Sequence, residues 1–213
     1  MYILGISSIV ASQLLPEPTM SRLAVAALAA SLSLLSVASP IVAQGGAQIA
    51  AASNYLAVGT KAPDVSFAGA TRWGVLDQQV KLSDFVGKTV VIAFFPAART
   101  RGCTIQMQTY REEYQRVFSG GRDVVLIAIS NDPAEVLRSW AYDEDFPFLF
   151  GSDPTGAVYR AFGGNPGGNG SFGRTLVVID PAGNVAELLP RFLEVDPTSY
   201  DQLQATVARV AAR

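Results

Sequence analysis

Three stretches of the chain are continuously apolar and rich in β-branched or aromatic residues: TVVIAFF at 89–95, DVVLIAIS at 123–130 and RTLVVID at 174–180. Runs of this length without polar alternation predict strands buried on both faces. Between them the period changes to that of a helix. In TIQMQTYREEYQRVF (104–118), Ile105, Met107, Tyr110, Tyr114, Val117 and Phe118 fall at helical spacing, and Gly120-Gly121 ends the run. Pro133 sits in the first turn of a second helix through AEVLRSWAYDED (134–145). TGAVYRAFG (155–163) reads as a short helix and SYDQLQATVARVAA (199–212) as an amphipathic C-terminal one. FPFLFGSD (146–153) reads as a short strand and turn, and PAGN (181–184) as a hairpin turn into VAELLPRFL (185–193). GTKAPDVSF (59–67) and VKLSDFVGK (80–88) hold turn residues and short extended pieces. Strands alternating with helices predict an α/β fold, a central sheet flanked by helices on both faces. No repeat or internal linker marks a second domain.

A different pattern precedes this region. Arg22 is followed by LAVAALAASLSLLSVA (23–38), sixteen apolar or small residues. That length suits the apolar segment of a secretory signal better than a membrane span of about 20 residues. Small residues at Ala38 and Ala43 suit cleavage, so 1–43 is expected to be a leader, 44–57 a linker and 58–213 the folded domain. Because nineteen residues stand before the charged start of the signal, Met20 is an alternative start. The expected destination is an oxidising compartment outside the cytoplasm, such as a bacterial periplasm, with no stable membrane insertion after cleavage. A retained signal anchor is the alternative.

Composition narrows the chemistry. Sixteen Lys and Arg against eighteen Asp and Glu give a formal charge of −2, with no basic excess to follow a phosphate backbone, so nucleic acid is not an expected partner. The chain has no histidine, which removes Ser-His-Asp and Cys-His catalysis, histidine-held haem and most zinc sites. Neither a metal nor a cofactor is expected. Cys103 is the single cysteine, so no internal disulfide and no CxxC pair can form.

Cys103 lies in FFPAARTRGCT (94–104), which joins the first buried strand to the following helix. Unpaired backbone N–H groups and the positive end of the helix dipole favour an anion there, and a thiolate is such an anion. A cysteine without context is more often a small buried apolar residue. The flanking Thr, Gly and two Arg favour the reactive reading.

The spacing Pro96-x-x-x-Thr100-x-x-Cys103 resembles the PxxxTxxC signature of peroxiredoxins, the thiol-dependent peroxidases of the thioredoxin-like fold. FFP…TRGCT is most similar to their bacterioferritin-comigratory subclass. The resemblance continues through the central stretch and through GRTLVVIDPAGNV (173–185), and it covers roughly 58–213. It implies a single thioredoxin-like domain with a mixed central sheet. It also implies that the Cys103 thiolate attacks a peroxide oxygen, hydrogen peroxide or an organic hydroperoxide, and becomes a sulfenic acid. The roles it carries over are a hydroxyl at Thr100 bonding thiolate and peroxide, a permanent charge at Arg174, a shield at Pro96, and backbone N–H groups near Gly102 and Cys103 holding peroxide. In isolation Thr100 would read as a loop or capping residue and Arg174 as a solvated charge.

Two departures from the subclass stand out. Its resolving cysteine, five positions after the first, is Gln108 here, which implies a one-cysteine form reduced by an external thiol, either a thioredoxin-like protein or a low-molecular-weight thiol. Arg101 replaces a proline, and with Arg99 it either acts on the thiol or a reductant or is a solvated loop charge. The expected assembly is a monomer or homodimer. A catalytically idle binding module of the same fold stays open. A thiol-disulfide oxidoreductase would need a cysteine at Gln106, and a copper chaperone one at Met107. GGNPGGNGSFG (163–173) contains GxGxxG but leads into a strand rather than out of one, so it reads as a flexible surface loop, with a gate as the lesser alternative.

Overall fold

The computed structural model describes residues 54–212; the stretch expected to be a leader, 1–43, and residues 44–53 of the expected linker lie outside the described residues. Seven strands, β1 (Ser66–Thr71), β2 (Gly74–Lys81), β3 (Thr89–Phe94), β4 (Val124–Ser130), β5 (Leu149–Ser152), β6 (Thr175–Ile179) and β7 (Val185–Leu189), form one mixed sheet in the order β2-β1-β5-β4-β3-β6-β7. The helices are α1 (Arg101–Glu112), α2 (Tyr114–Phe118), α3 (Ala134–Asp143), α4 (Ala157–Ala161) and α5 (Pro197–Ala211). Strands β3, β4 and β5 run parallel, while β6 lies antiparallel to β3 and pairs Phe94 with Thr175.

The continuous apolar runs are buried on both faces because the pleat sends alternate residues to two cores. Val91, Ala93 and Phe95 join Cys103, Met107, Tyr110, Leu137, Trp140, Leu203 and Val207 on one face. Val90, Ile92 and Phe94 join Val158, Tyr159, Phe162 and Phe172 on the other. The helical cover is uneven, with α1, α2, α3 and α5 on the first face and short α4 on the second.

Element boundaries depart from the periodicity in informative places. The helix expected at 104–118 starts three residues earlier and is interrupted at Glu113 (φ −94°, ψ 11°) before α2. Ser119, Gly120 and Gly121 then take positive φ, which stops it as the Gly-Gly pair implied. Pro133 is the capping residue of α3 rather than its first turn. Helix α5 begins at Pro197, with the Asp196 carboxylate accepting from Thr198 N. The β1–β2 hairpin was not legible, because β2 buries only Val80 and alternates weakly. The 163–173 loop is tied down: Asn131 Nδ2 donates to Gly170 O at 3.1 Å, and Phe172 is buried with its ring stacked on Tyr159 at 4.6 Å. Tyr55, at the end of the stretch read as linker, reaches Thr175 Oγ1 at 3.0 Å and Tyr159 Oη at 3.2 Å.

Candidate active site

At the C-terminal end of β3 the chain turns through residues 96–100 into α1. Asp132, just past β4, holds this turn. Its Oδ2 accepts from Ala98 N and from Ser130 Oγ, both at 2.7 Å. Arg99 adopts φ +62°, and its guanidinium is committed to α3, where it meets the Asp143 carboxylate and Ser139 Oγ at 3.1 Å. Thr100 is the N-cap of α1 with extended backbone, yet its hydroxyl donates to Ala97 O at 3.0 Å and caps no helix N–H. The first turn of α1 thus receives no side-chain acceptor from its cap, which leaves its amides available to a bound anion.

Cys103 is the third residue of α1, inside the first turn, and is fully buried. Arg174 immediately precedes β6, and the antiparallel β3–β6 pairing brings it to the same end of the sheet as the turn out of β3. Its Nη2 lies 3.6 Å from Cys103 Sγ and 3.1 Å from Glu194 Oε1. Both side chains of that ion pair are mostly covered, 19% and 22% exposed. Glu194 sits in the connection from β7 to α5. Phe192 N donates to Arg174 O at 3.0 Å, and the Tyr200 hydroxyl donates to Glu194 O at 2.8 Å. The pair lies against the bare Cα of Gly102, where any Cβ would overlap Arg174 Nη2 and Glu194 Oε1.

Below the sulfur, on the inner face of α1, Gln106 Nε2 donates to the buried Tyr110 hydroxyl at 2.9 Å. Burial pushes the Tyr110 phenol far above its ordinary range, so it is a neutral group at any physiological pH. Two of the three buried side-chain atoms without a partner among the described residues lie here, the acceptor Gln106 Oε1 and the donor Arg174 Nε.

The structure therefore brings Cys103 and Arg174 together. Pro96 lies half-buried and Thr100 exposed on the turn leading to the sulfur. Arg101 is exposed in the first turn, and Gln108 donates to Glu144 Oε2 at 2.9 Å. Glu194, Gln106 and Asp132 were not singled out from the sequence. Gln106 stands three residues after Cys103 on the same helical face, a signal that could have found it. Glu194 is a single acid in a loop and carries no such signal. Among the described residues no cluster of potential metal ligands occurs, and no helix is long and apolar enough to cross a membrane.

The sequence profile of the AhpC/TSA family matches residues 58–188. Chloroplastic peroxiredoxin Q of Sedum lineare is 38% identical over 84 residues, which are 39% of this chain and 44% of that protein. Peroxiredoxin Bcp of Escherichia coli (strain K12) is 37% identical over 86 residues, 40% of this chain and 54% of that protein. The chain spans about half the length of the curated relatives it matches. Among solved structures, peroxidoxin BcpB from Mycobacterium tuberculosis superposes with a TM-score of 0.63 at 25% identity, covering 73% of this chain and 99% of that one. Peroxiredoxin Q from Xanthomonas campestris shares the fold, with a TM-score of 0.59 at 20% identity over 72% and 98% of the two chains.

Proposed function

The chain belongs to the AhpC/TSA family, and from that premise we propose that it is a thiol-dependent peroxidase whose reacting atom is Cys103 Sγ. The observation that carries the reading is the guanidinium of Arg174, with Nη2 3.6 Å from that sulfur in the first turn of α1. An arginine is charged at every working pH. Its contact favours negative charge on the sulfur and on the oxygen that leaves.

The Cys103 thiolate attacks the terminal oxygen of ROOH. An S–O bond forms, the O–O bond breaks, and the electron pair departs on RO⁻, which takes a proton to become ROH. The sulfur is left as S–OH. The uncapped amides of α1 are available to hold the peroxide. The Thr100 hydroxyl reaches the substrate by exchanging its bond to Ala97 O, and Pro96 limits water at the sulfur.

Gln108 stands where a resolving thiol would be, and Cys103 is the chain's only cysteine. Reduction then needs two equivalents of an outside thiol. The first condenses with S–OH to a mixed disulfide and releases water; the second frees Cys103 and leaves the oxidised reductant. A thioredoxin-like protein or a low-molecular-weight thiol has that chemistry. The leader-like pattern at 20–43 supports export, which N-terminal sequencing of the mature protein would test.

One observation favours a second reading. Cys103 is 0% exposed, as an idle thioredoxin-fold binding module would have it. The deciding experiment is stopped-flow oxidation of the purified domain by hydrogen peroxide, followed by Trp140 fluorescence and by mass spectrometry for a single added oxygen. A rate orders of magnitude above that of free cysteine, lost in Arg174→Ala and Thr100→Val, supports the peroxidase. A rate like free cysteine's, indifferent to both changes, supports the module instead.

A further inference from the structure

The Arg174 guanidinium has to point at a buried sulfur, and very little else aims it. Its Nε is buried with no acceptor, and its only carboxylate partner among the described residues is Glu194. The same nitrogen, Nη2, meets both: it donates toward Cys103 Sγ and forms an ion pair with Glu194 Oε1. We propose that Glu194 is a positioning residue for peroxide reduction, holding the Arg174 Nη2 group on Cys103 Sγ without touching the reacting atoms. The inference deepens the peroxidase reading and rests on it.

Glu194 is itself built in. Its carbonyl accepts from the Tyr200 hydroxyl on α5, and its loop is stitched to Arg174 through Phe192 N. The glycine at 102 leaves room for the pair to lie across the first turn, where a Cβ would overlap both side chains. A carboxylate beside a site that develops negative charge opposes that charge. Its use here is therefore positional: the ion pair at 3.1 Å fixes where the guanidinium lies, while Nη2 keeps its hydrogen for the sulfur. The requirement is for a carboxylate at that point.

The test uses the folded wild type and three variants, with the second-order rate constant for hydrogen peroxide as the readout. Misplacing a positioned group by about 1 Å can cost on the order of 100-fold. Glu194→Ala is expected to slow oxidation by roughly 10- to 100-fold. Glu194→Gln keeps the size of the side chain but removes the ion pair, and should recover little of that loss. Glu194→Asp keeps the charge but withdraws the oxygen by one methylene and should be slow, which preserves the test if the alanine variant does not fold. In an Arg174→Ala background, Glu194→Ala should add no further loss, because the residue acts only through the arginine.

A wild-type rate from Glu194→Ala or Glu194→Asp overturns the proposal. So does a Gln variant as fast as the wild type, or an equal loss in the Arg174→Ala background, since a general structural defect would persist there. If the wild type itself reacts no faster than free cysteine, the peroxidase reading fails and the positioning role falls with it; a fast wild type with an equally fast Glu194→Ala removes the positioning role alone.

Discussion

Substituting Gly102 by alanine separates the stability of the fold from the geometry of the site. Gly102 lies in helical backbone in the first turn of α1 and has no positive φ, so alanine fits there without backbone strain. As a helix former, alanine exceeds glycine by up to about 1 kcal/mol. The added Cβ, however, overlaps Arg174 Nη2 and Glu194 Oε1, the far ends of two flexible side chains. These retreat until ordinary contact is restored, a displacement of roughly 1.2 Å given contact distances near 3.5 Å.

The present Nη2–Sγ distance is 3.6 Å. At an effective dielectric constant of about 20, a unit charge on the guanidinium interacts with one on the sulfur by about 4.6 kcal/mol at that distance and by about 3.5 kcal/mol after the retreat. The lost 1.1 kcal/mol or so, counted from the neutral thiol to the transition state, corresponds to roughly a sevenfold slower peroxide reaction from the weakened charge contact alone, the least the displacement should cost. Thermal unfolding and stopped-flow oxidation of the same preparation check both halves. The midpoint should hold or rise by a few degrees, at roughly 2–4 °C per kcal/mol for a domain of this size, while the rate falls. An unchanged rate would refute the idea that guanidinium position governs reactivity. A lowered midpoint accompanying a lowered rate would refute the separation of site from fold.

Asp132→Ala removes the acceptor that Ala98 N and Ser130 Oγ share, and should cost about 1–3 kcal/mol in urea denaturation while also slowing peroxide oxidation, because the turn into α1 loses its anchor. Tyr110→Phe leaves the buried Gln106 amide without the hydroxyl that receives it; the urea midpoint should fall by the equivalent of about 1–3 kcal/mol with an unchanged denaturant slope. Burial is the leading cause that raises the phenols of Tyr55, Tyr110, Tyr114 and Tyr200 above their ordinary 10.0. A group with a raised folded pKa gives its full stabilisation below the unfolded value and loses it as pH climbs toward the folded one. Stability should therefore be level with respect to these tyrosines up to about pH 9 and decline above about pH 10. Urea midpoints taken across that interval check it, and a midpoint that rises with pH there would contradict the assignment.

The strands that carry the site were readable because each is buried on both faces and shows it as an unbroken apolar run. Hairpin β1–β2 left no such trace. Its outer strand is largely exposed, and a backbone ladder at an edge asks little of side chains. The periodicity places the start of α1 too late because Arg101 and Gly102 carry no apolar signal, although Thr100, at its N-cap position, stands out in the motif. The 163–173 loop has the composition of a flexible segment, yet buried Phe172 and the Asn131 bond to Gly170 O seat it. The Arg174–Cys103 contact spans 71 residues of chain. Its existence followed only from a family resemblance, because it is made by a long-range strand pairing that no local pattern encodes. Glu194 was beyond reach for the same reason, and no resemblance pointed to it.

Strand polarity has a consequence of its own. Arg174 stands next to the sulfur because β6 runs against β3, so the start of one strand meets the end of the other. Were β6 reversed in place, the arginine would pass from one end of its five residues to the other and reach the opposite rim, roughly 20 Å away at about 3.3 Å per residue. The couple is thus a product of ladder direction, and melting the β3–β6 ladder dissolves it even where the PxxxTxxC segment and α1 stay intact. An unfolded chain has no such couple; the closing of the sheet is what brings the guanidinium to the sulfur.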